Sequence, residues 1–397
     1  MLKRSIFLAM GLLLLVSPAQ AGGTSCKNGT ETSESGTFSA TGSMTSARSL
    51  HTATLLADGK VLLVGGVGAG GESATYLRTA EIYHPSKRKF IATRSMSTAR
   101  LGAAAVRLRD GRVLVAGGEN NSGIAINSVE IYSPKTARWA KASPMNYARV
   151  NPTATLLSNG TVLITGGYSV NSDCCALNSA EIYDPKTNSF STTGFMTVAR
   201  RNHTATLLKS GRVLIAGGYN GQDGSTDGSN NVNAPEIYDP VARIFEPTGD
   251  MSTARRYPTA TLLLNGRVLM AGGYDDSNLA TASAELYKTL KREFDLTGSM
   301  LVARGRHTAT RLLDGRVMVA GGYDSSGSTL SSAELFDPRT GTFSATGSMT
   351  IARWRHTETG LLNGDVLIAG GSDGTTAVAS AELYKAHHTQ QSNKACH

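Results

Sequence analysis

Pairs of glycines close seven short apolar runs at nearly equal intervals, the second glycine falling at Gly66, Gly118, Gly167, Gly218, Gly273, Gly322 and Gly371. The period is about 50 residues, and self-similarity at that length marks a chain that repeats one supersecondary unit. The runs themselves, VLLVGG, VLVAGG, VLITGG and VLIAGG among them, are rich in β-branched residues and do not alternate apolar with polar. A run of that kind reads as a strand buried on both faces. No stretch after the first twenty or so residues holds a helical period.

The fixed spacings say more than the period. Every repeat carries a methionine four residues before an arginine, and the arginines are Arg48, Arg100, Arg149, Arg200, Arg255, Arg304 and Arg353. From each arginine to the first glycine of the pair is 17 residues. A glutamate then stands two residues before an aromatic: Glu81, Glu130, Glu181, Glu236, Glu285, Glu334 and Glu382, followed by Tyr83 and its counterparts. Seven residues on comes a second aromatic, Phe90, Trp139, Phe190, Phe245, Phe294 or Phe343. Only the stretch between glycine pair and glutamate varies in length. This pattern predicts four strands per repeat: a (HTATLL-like), b (VLVAGG-like), c (SAEIYDP-like) and d (FSATGSM-like). Asp58-Gly59 and its equivalents fit a tight a-to-b turn that needs positive φ, and Asp184-Pro185 or Asp337-Pro338 marks the c-to-d turn. A four-stranded unit with both faces apolar needs neighbours on both sides, so seven of them imply an all-β, seven-bladed β-propeller.

The glycine pair after an apolar strand, the aromatic some 13 to 20 residues later and the second aromatic beyond it resemble the kelch repeat, over essentially the whole chain after residue 35. Kelch repeats usually carry tryptophan at the second aromatic position, whereas this sequence has phenylalanine except at Trp139. Phe38 is a strand-d aromatic with no strand c before it, and Tyr384 a strand-c aromatic with no strand d after it. Pairing the N-terminal strand with the C-terminal blade closes the circle and leaves no open edge. The expected divisions are a signal peptide at 1–21, a tail at 22–35, the propeller at 36–385 and a second tail at 386–397.

The compartment follows from the N-terminus. Lys3 and Arg4 precede an apolar run from Ile6 to Val16, and Ala19-Gln20-Ala21 supplies the small residues that signal peptidase cuts. The run is too short to span a bilayer. An exported protein is expected, in the periplasm, at the cell surface or secreted, and as a monomer. The formal charge of +9 becomes +7 once Lys3 and Arg4 are removed, and the remaining basic residues are dispersed, which argues against nucleic acid. Four cysteines in an exported chain point to disulfides. Cys26 and Cys396 each lie twelve residues from the closing aromatics Phe38 and Tyr384, so a Cys26–Cys396 bridge is expected. Cys174 and Cys175 are left to pair with each other, stay free or bind a partner.

A residue repeated in every blade answers a packing problem, so the seven arginines and seven glutamates read as structural pairs near the blade junctions. The irregular residues are the functional candidates. Antiparallel strands gather the b-to-c and d-to-a connections at one end, and that end holds the length variation: residues 67–79, 168–179 and 219–234. It also holds His51, His203, His307 and His356 at the entrances to strand a, together with Tyr168, Tyr219, Tyr274 and Tyr323. A histidine bonded to a neighbouring blade is the expected reading; a shared metal ion would need nitrogens about 2.0–2.1 Å from one centre. Asp223 and Asp227 lie in the longest loop, where oxygen donors suit calcium but the spacing does not match an EF-hand, so a flexible solvated loop is the expected reading. No cofactor is expected, with copper and calcium the two to test. The reading is a binding scaffold that offers this face to a protein or glycan. The alternative is a copper enzyme like galactose oxidase, whose catalytic domain the kelch resemblance brings in and which acts on a carbohydrate or alcohol. No tyrosine here matches that family's cysteine-linked ligand, so no catalytic residue is assigned.

Overall fold

The computed structural model describes residues 35–70, 75–169, 176–221 and 230–386. The expected signal peptide, Cys26, Cys396, Cys174, Cys175, Asp223 and Asp227 lie outside the described residues.

Seven four-stranded antiparallel sheets account for the described chain. Blade one is Thr52–Leu55, Val61–Val64, Ala80–His84 and Lys89–Thr93, hydrogen-bonded in that order. Its a-to-b turn uses Gly59 at φ 82°, and the Asp58 carboxylate accepts the Lys60 N–H at 3.2 Å, a side-chain bond that fixes such turns. The c-to-d turns work alike: in blade three Asp184 accepts the Lys186 N–H at 2.8 Å.

The non-alternating b strands are explained by where successive residues go. Val61 and Leu63 face blade seven, in one core with Leu361, Leu367 and Leu383. Leu62 and Val64 face blade two, in another with Val113 and Val115. Both faces are interior, so both must be apolar, and each such side chain contributes roughly 1.5–3 kcal/mol on burial. The same division around the ring gives seven interblade cores. The two aromatics of a repeat sit opposite each other across strands c and d, as in Tyr83 against Phe90, with centroids 4.8 Å apart and tilted by 48°. Phenylalanine meets this demand as well as tryptophan, and in five blades the tyrosine hydroxyl goes on to a threonine of the preceding blade, as Tyr83 Oη does at 2.8 Å from Thr41 Oγ1, while Tyr183 Oη bonds Asn188 of its own blade.

Blade seven is completed from both ends of the chain. Thr37–Ala40 pairs with Ala381–Lys385, with Phe38 opposite Tyr384 and Ala40 opposite Glu382. The a strands of successive blades touch one another all the way round, blade one against blade seven included, so they form the innermost layer, around the axis.

The repeated charges tie each blade to its linker. Seven buried Arg–Glu pairs close at 2.7–3.0 Å, from Arg48–Glu81 to Arg353–Glu382. Arg48 also donates to the Gly65 and Thr79 carbonyls, while Glu81 accepts the Thr45 and Ser46 N–H groups at 2.8 and 3.2 Å. Burial lowers the pKa of each arginine, and the glutamate opposes that shift. The glycine pair belongs to the same joint. The Gly66 N–H donates to the Arg100 carbonyl of the next blade at 2.9 Å, and this bond recurs in all seven blades. Gly65 (φ 69°) and Gly66 (φ 88°) are left-handed, and a Cβ on Gly65 would stand 2.7 Å from the Arg100 oxygen. Only glycine fits that approach without strain.

Candidate functional site at the channel mouth

Two residues past each ring arginine the chain turns through a left-handed conformation: Leu50, Gly102, Asn151, Asn202, Tyr257, Arg306 and Arg355, all with φ between 52° and 63°. Equivalent positions in adjacent blades bond to one another. Asn151 N–H donates to the Gly102 carbonyl, Tyr257 to Asn202, Arg355 to Arg306 and Leu50 to Arg355. Such a ring of like positions, one step before the innermost strands, encircles the axis as a collar at the mouth of the channel.

The collar's side chains are uneven. Blades two to four carry glycine or asparagine there; blades five to seven carry tyrosine and two arginines. Around these gather the residues beside them and the first residue after each glycine pair. Arg201 lies over Tyr168 and Tyr219, at 4.8 and 5.1 Å from the ring centroids. Arg256 lies between Tyr219 and Tyr274, at 5.4 and 5.6 Å. Arg306 faces Tyr257 at 4.4 Å, Trp354 at 5.1 Å and Tyr274 at 6.0 Å. Arg355 covers Trp354 at 3.9 Å, and Tyr323 stacks on the same indole at 4.4 Å. Guanidinium–aromatic contacts of this kind are worth about 0.5–1 kcal/mol each when exposed and more when desolvated. Arg256 also bonds the Asn278 side chain. Burial, then the neighbouring Arg306, lowers the pKa of Arg355 to about 10.

The four histidines stand beneath this mouth, between blades. Each points its Nε2 at a threonine of the preceding a strand: His51 to Thr357 at 3.0 Å, His203 to Thr153 at 3.2 Å, His307 to Thr259 at 3.0 Å and His356 to Thr308 at 2.7 Å. His203 also meets Thr165 at 3.1 Å. Burial, helped by the adjacent ring arginine, lowers the pKa of His203, His307 and His356 to about 3 and that of His51 well below its ordinary value. They are neutral rings with their outer nitrogen engaged, and each sits in a different blade. Among the described residues no group of three or more His, Cys, Asp or Glu is arranged to hold a metal ion.

One acid breaks the inner-strand pattern. The second residue of strand a is alanine in six blades, Ala53, Ala105, Ala154, Ala205, Ala260 and Ala309, each packed into an interblade core. In blade seven it is Glu358, bonded to Thr308, the hydroxyl that also meets His356. Burial raises its pKa to about 7, against the pull of Thr308 and Thr310.

The tyrosines singled out from the sequence therefore do converge: Tyr168, Tyr219 and Tyr274 are linked through Arg201 and Arg256, and Tyr323 joins through Trp354. Sequence reasoning missed Arg201, Arg256, Tyr257, Arg306, Trp354, Arg355 and Glu358. A signal was present, since blades four to seven each place a second arginine within two residues of the ring arginine: Arg201, Arg256, Arg306 and Arg355.

Comparison with known proteins agrees with the geometry. The Kelch motif matches residues 100–146, 150–193 and 304–350. The chain is a seven-bladed kelch-type β-propeller. Among solved structures, this kelch propeller is similar to a fungal alcohol oxidase of the AA5 family in complex with copper, at 18% identity and a TM-score of 0.67, over 89% of this chain and 76% of that one. It is also similar to the structure of YjhT, at 15% identity and a TM-score of 0.56, over 70% of this chain and 93% of that one. At such identities the likeness is one of fold. No curated protein sequence matches the kelch chain.

Proposed function

We propose that this propeller is an exported binding scaffold whose b-to-c face holds a protein or glycan partner at the channel mouth. The observation that supports this reading is the contrast between its ends. One end consists of short turns that repeat from blade to blade, while the other collects the long connections together with the arginine–aromatic contacts that depart from the repeat. Binding residues concentrate on loops carried by a rigid scaffold. No helix among the described residues is long and apolar enough to cross a membrane.

The fungal oxidase raises a copper-enzyme reading, which the donor set does not favour. The four histidines are spread over four blades with Nε2 committed to threonine, and Cys174 and Cys175 lie outside the described residues. The two readings separate on the copper content and alcohol-oxidase activity of the purified protein. The face is tested by exchanging residues 219–234 for the shorter blade-six connection and screening both chains on a glycan array and by cross-linking to secreted proteins. The exchange is expected to change binding with folding intact. Binding that follows substitutions in the Asp58-Gly59 and Asp337-Pro338 turns instead would overturn the assignment. Export predicts a mature N-terminus near Gly22, read by N-terminal sequencing. The Cys26–Cys396 bridge is read by peptide mapping without reduction; a Cys26 peptide linked to Cys174 or Cys175 would refute it.

A further inference from the structure

We propose that Arg256, Arg306 and Arg355, held against Tyr257, Tyr274 and Trp354 at the channel mouth, form a binding site for a small organic oxyanion, a carboxylate or a phosphate ester. The inference rests on the face assignment above and adds the chemistry of the ligand.

Three observations carry it. The first is charge without compensation. Among the described residues none of these three guanidiniums meets a carboxylate within ion-pairing distance, although the seven ring arginines a few residues away all do. The nearby acids are occupied elsewhere: Asp275 accepts the Ser277 and Leu279 N–H groups, Asp276 bonds the Asn231 side chain, Asp324 accepts the Ser326 and Ser328 N–H groups, and Glu358 accepts the Thr308 hydroxyl. Glu119, which follows the glycine pair of blade two, accepts the Tyr76 hydroxyl at 2.7 Å. Three clustered cations whose neighbours are aromatic rather than acidic generate a positive field, and an anion completes it.

The second is preorganisation. The aromatic rings hold the guanidinium planes, so fewer rotamers remain to be lost on binding. All six residues are half-buried, open enough for solvent to reach them and enclosed enough for the field to be felt. The Nε atoms of all three arginines are buried without a partner among the described residues, as is the Trp354 Nε1. Apart from the Arg256 bond to Asn278, the polar capacity of the cluster is thus not consumed by the described residues, and a planar fork favours the two-oxygen geometry of carboxylate or phosphate.

The third is strain. The collar position is left-handed in every blade, a conformation that disfavours ordinary side chains by roughly 1–2 kcal/mol and that glycine and asparagine accept most readily. Blades two to four use Gly102, Asn151 and Asn202. Blades five to seven place Tyr257, Arg306 and Arg355 on the same backbone, φ 53–54°. Blade one also carries a large side chain there, Leu50 at φ 53°, so strain alone does not mark the site. What is confined to blades five to seven is polar and charged side chains kept at a strained position where glycine or asparagine is used three times in the same ring, and that points to a role for their polar groups.

The position that argues for the site also supplies a clean test, because Arg306→Gly and Arg355→Gly remove the charge and relieve the backbone together. The chain has two tryptophans, Trp139 and Trp354. Trp139→Phe, the residue most other blades carry there, leaves Trp354 as the sole reporter. In that background, glucuronate and glucose 6-phosphate are titrated while indole fluorescence and Tm are followed, with glucose as the neutral control. A saturable change is expected with one or both anions and none with glucose. Response to glucuronate alone identifies a carboxylate site, and response to glucose 6-phosphate alone a phosphate site. Each glycine variant is expected to bind at least tenfold more weakly, with Tm unchanged or raised. A chain that responds to neither anion, that responds equally to glucose, or that keeps its response in the Arg306→Gly/Arg355→Gly double variant overturns the proposal. If anions fail while loop exchange still alters partner capture, the face stands and the ligand class falls.

Discussion

Blades two to four and blades five to seven share one collar backbone and differ in what they hang on it. Gly102, Asn151 and Asn202 follow the conformational preference of the position, whereas Tyr257, Arg306 and Arg355 go against it. The difference separates two kinds of constraint in one ring. The backbone turn is demanded by the fold, since it brings the ring arginine's carbonyl to the glycine of the preceding blade in all seven repeats. The polar and charged side chains of blades five to seven are not demanded by it, because blades one to four take the same turn with Leu50, Gly102, Asn151 and Asn202.

If the framework is truly common to both halves, the largest effect should be indifferent to them. The neutral histidines have folded-state pKa values near 3, below their ordinary 6.5, so the unfolded chain binds protons first. The stability they lend is whole above about pH 6.5 and is lost as pH falls toward 3. Acid titration followed by circular dichroism should show cooperative loss within that window; a protein still folded at pH 3 contradicts it. Next come the buried ion pairs. Glu181→Ala in blade three and Glu334→Ala in blade six should each cost about 3–5 kcal/mol, because either leaves a buried arginine alone. Equilibrium unfolding that finds one costly and the other neutral would break the common framework.

The asymmetry is sharpened by Glu358, which has alanine counterparts in the other six blades. Its raised folded-state pKa means that it disfavours folding as pH rises from its ordinary range through about 7. Glu358→Gln should therefore stabilise at pH 8, by roughly 2–3 kcal/mol, and do little at pH 5. An equal gain at both pH values would show that charge is not the cause. Smallest is the collar. Gly102→Ala should cost about 1–2 kcal/mol for the left-handed backbone, and its Cβ would also crowd Asn151 Oδ1 at 2.4 Å. Arg355→Gly should leave stability within about 1 kcal/mol, the strain it relieves offsetting a lost cation–π contact. Thermal denaturation ranks the two, and the reverse order would sink the strain argument.

The parts of this molecule that recur were legible because repetition averages out accident. Seven copies of Met-x-x-x-Arg, of the glycine pair and of Glu-x-Tyr or Glu-x-Phe locate strands and turns, and even the Arg–Glu pairing and the closure of Phe38 against Tyr384 could be read from register alone. The site was legible only in part. Tyr168, Tyr219, Tyr274 and Tyr323 stand out because they begin the variable connections. Arg256, Arg306 and Arg355 hide beside an invariant arginine, where a second one reads as noise in the repeat. What unites them is contact between blades about 50 residues apart in sequence, and a one-dimensional spacing carries no record of which rings a guanidinium will cover. Glu358 was hidden for the opposite reason: one letter in a strand of threonines and alanines, whose meaning depends on the Thr308 hydroxyl it shares with His356.

The pairing of Thr37–Ala40 with Ala381–Lys385 sets a schedule. A strand made almost first waits for a partner made about 345 residues later, and until that partner appears the growing molecule is an arc with two raw ends. The entropic cost of joining ends so far apart rises only slowly with length, but the delay is one of time, because the partner does not yet exist. Exposed edges are where chains pair with the wrong neighbour. A ribosome that stops a few codons before Ala381 therefore releases a molecule with six whole blades and no clasp, open to aggregation and proteolysis. The latch makes synthesis through Lys385 a condition of the closed ring.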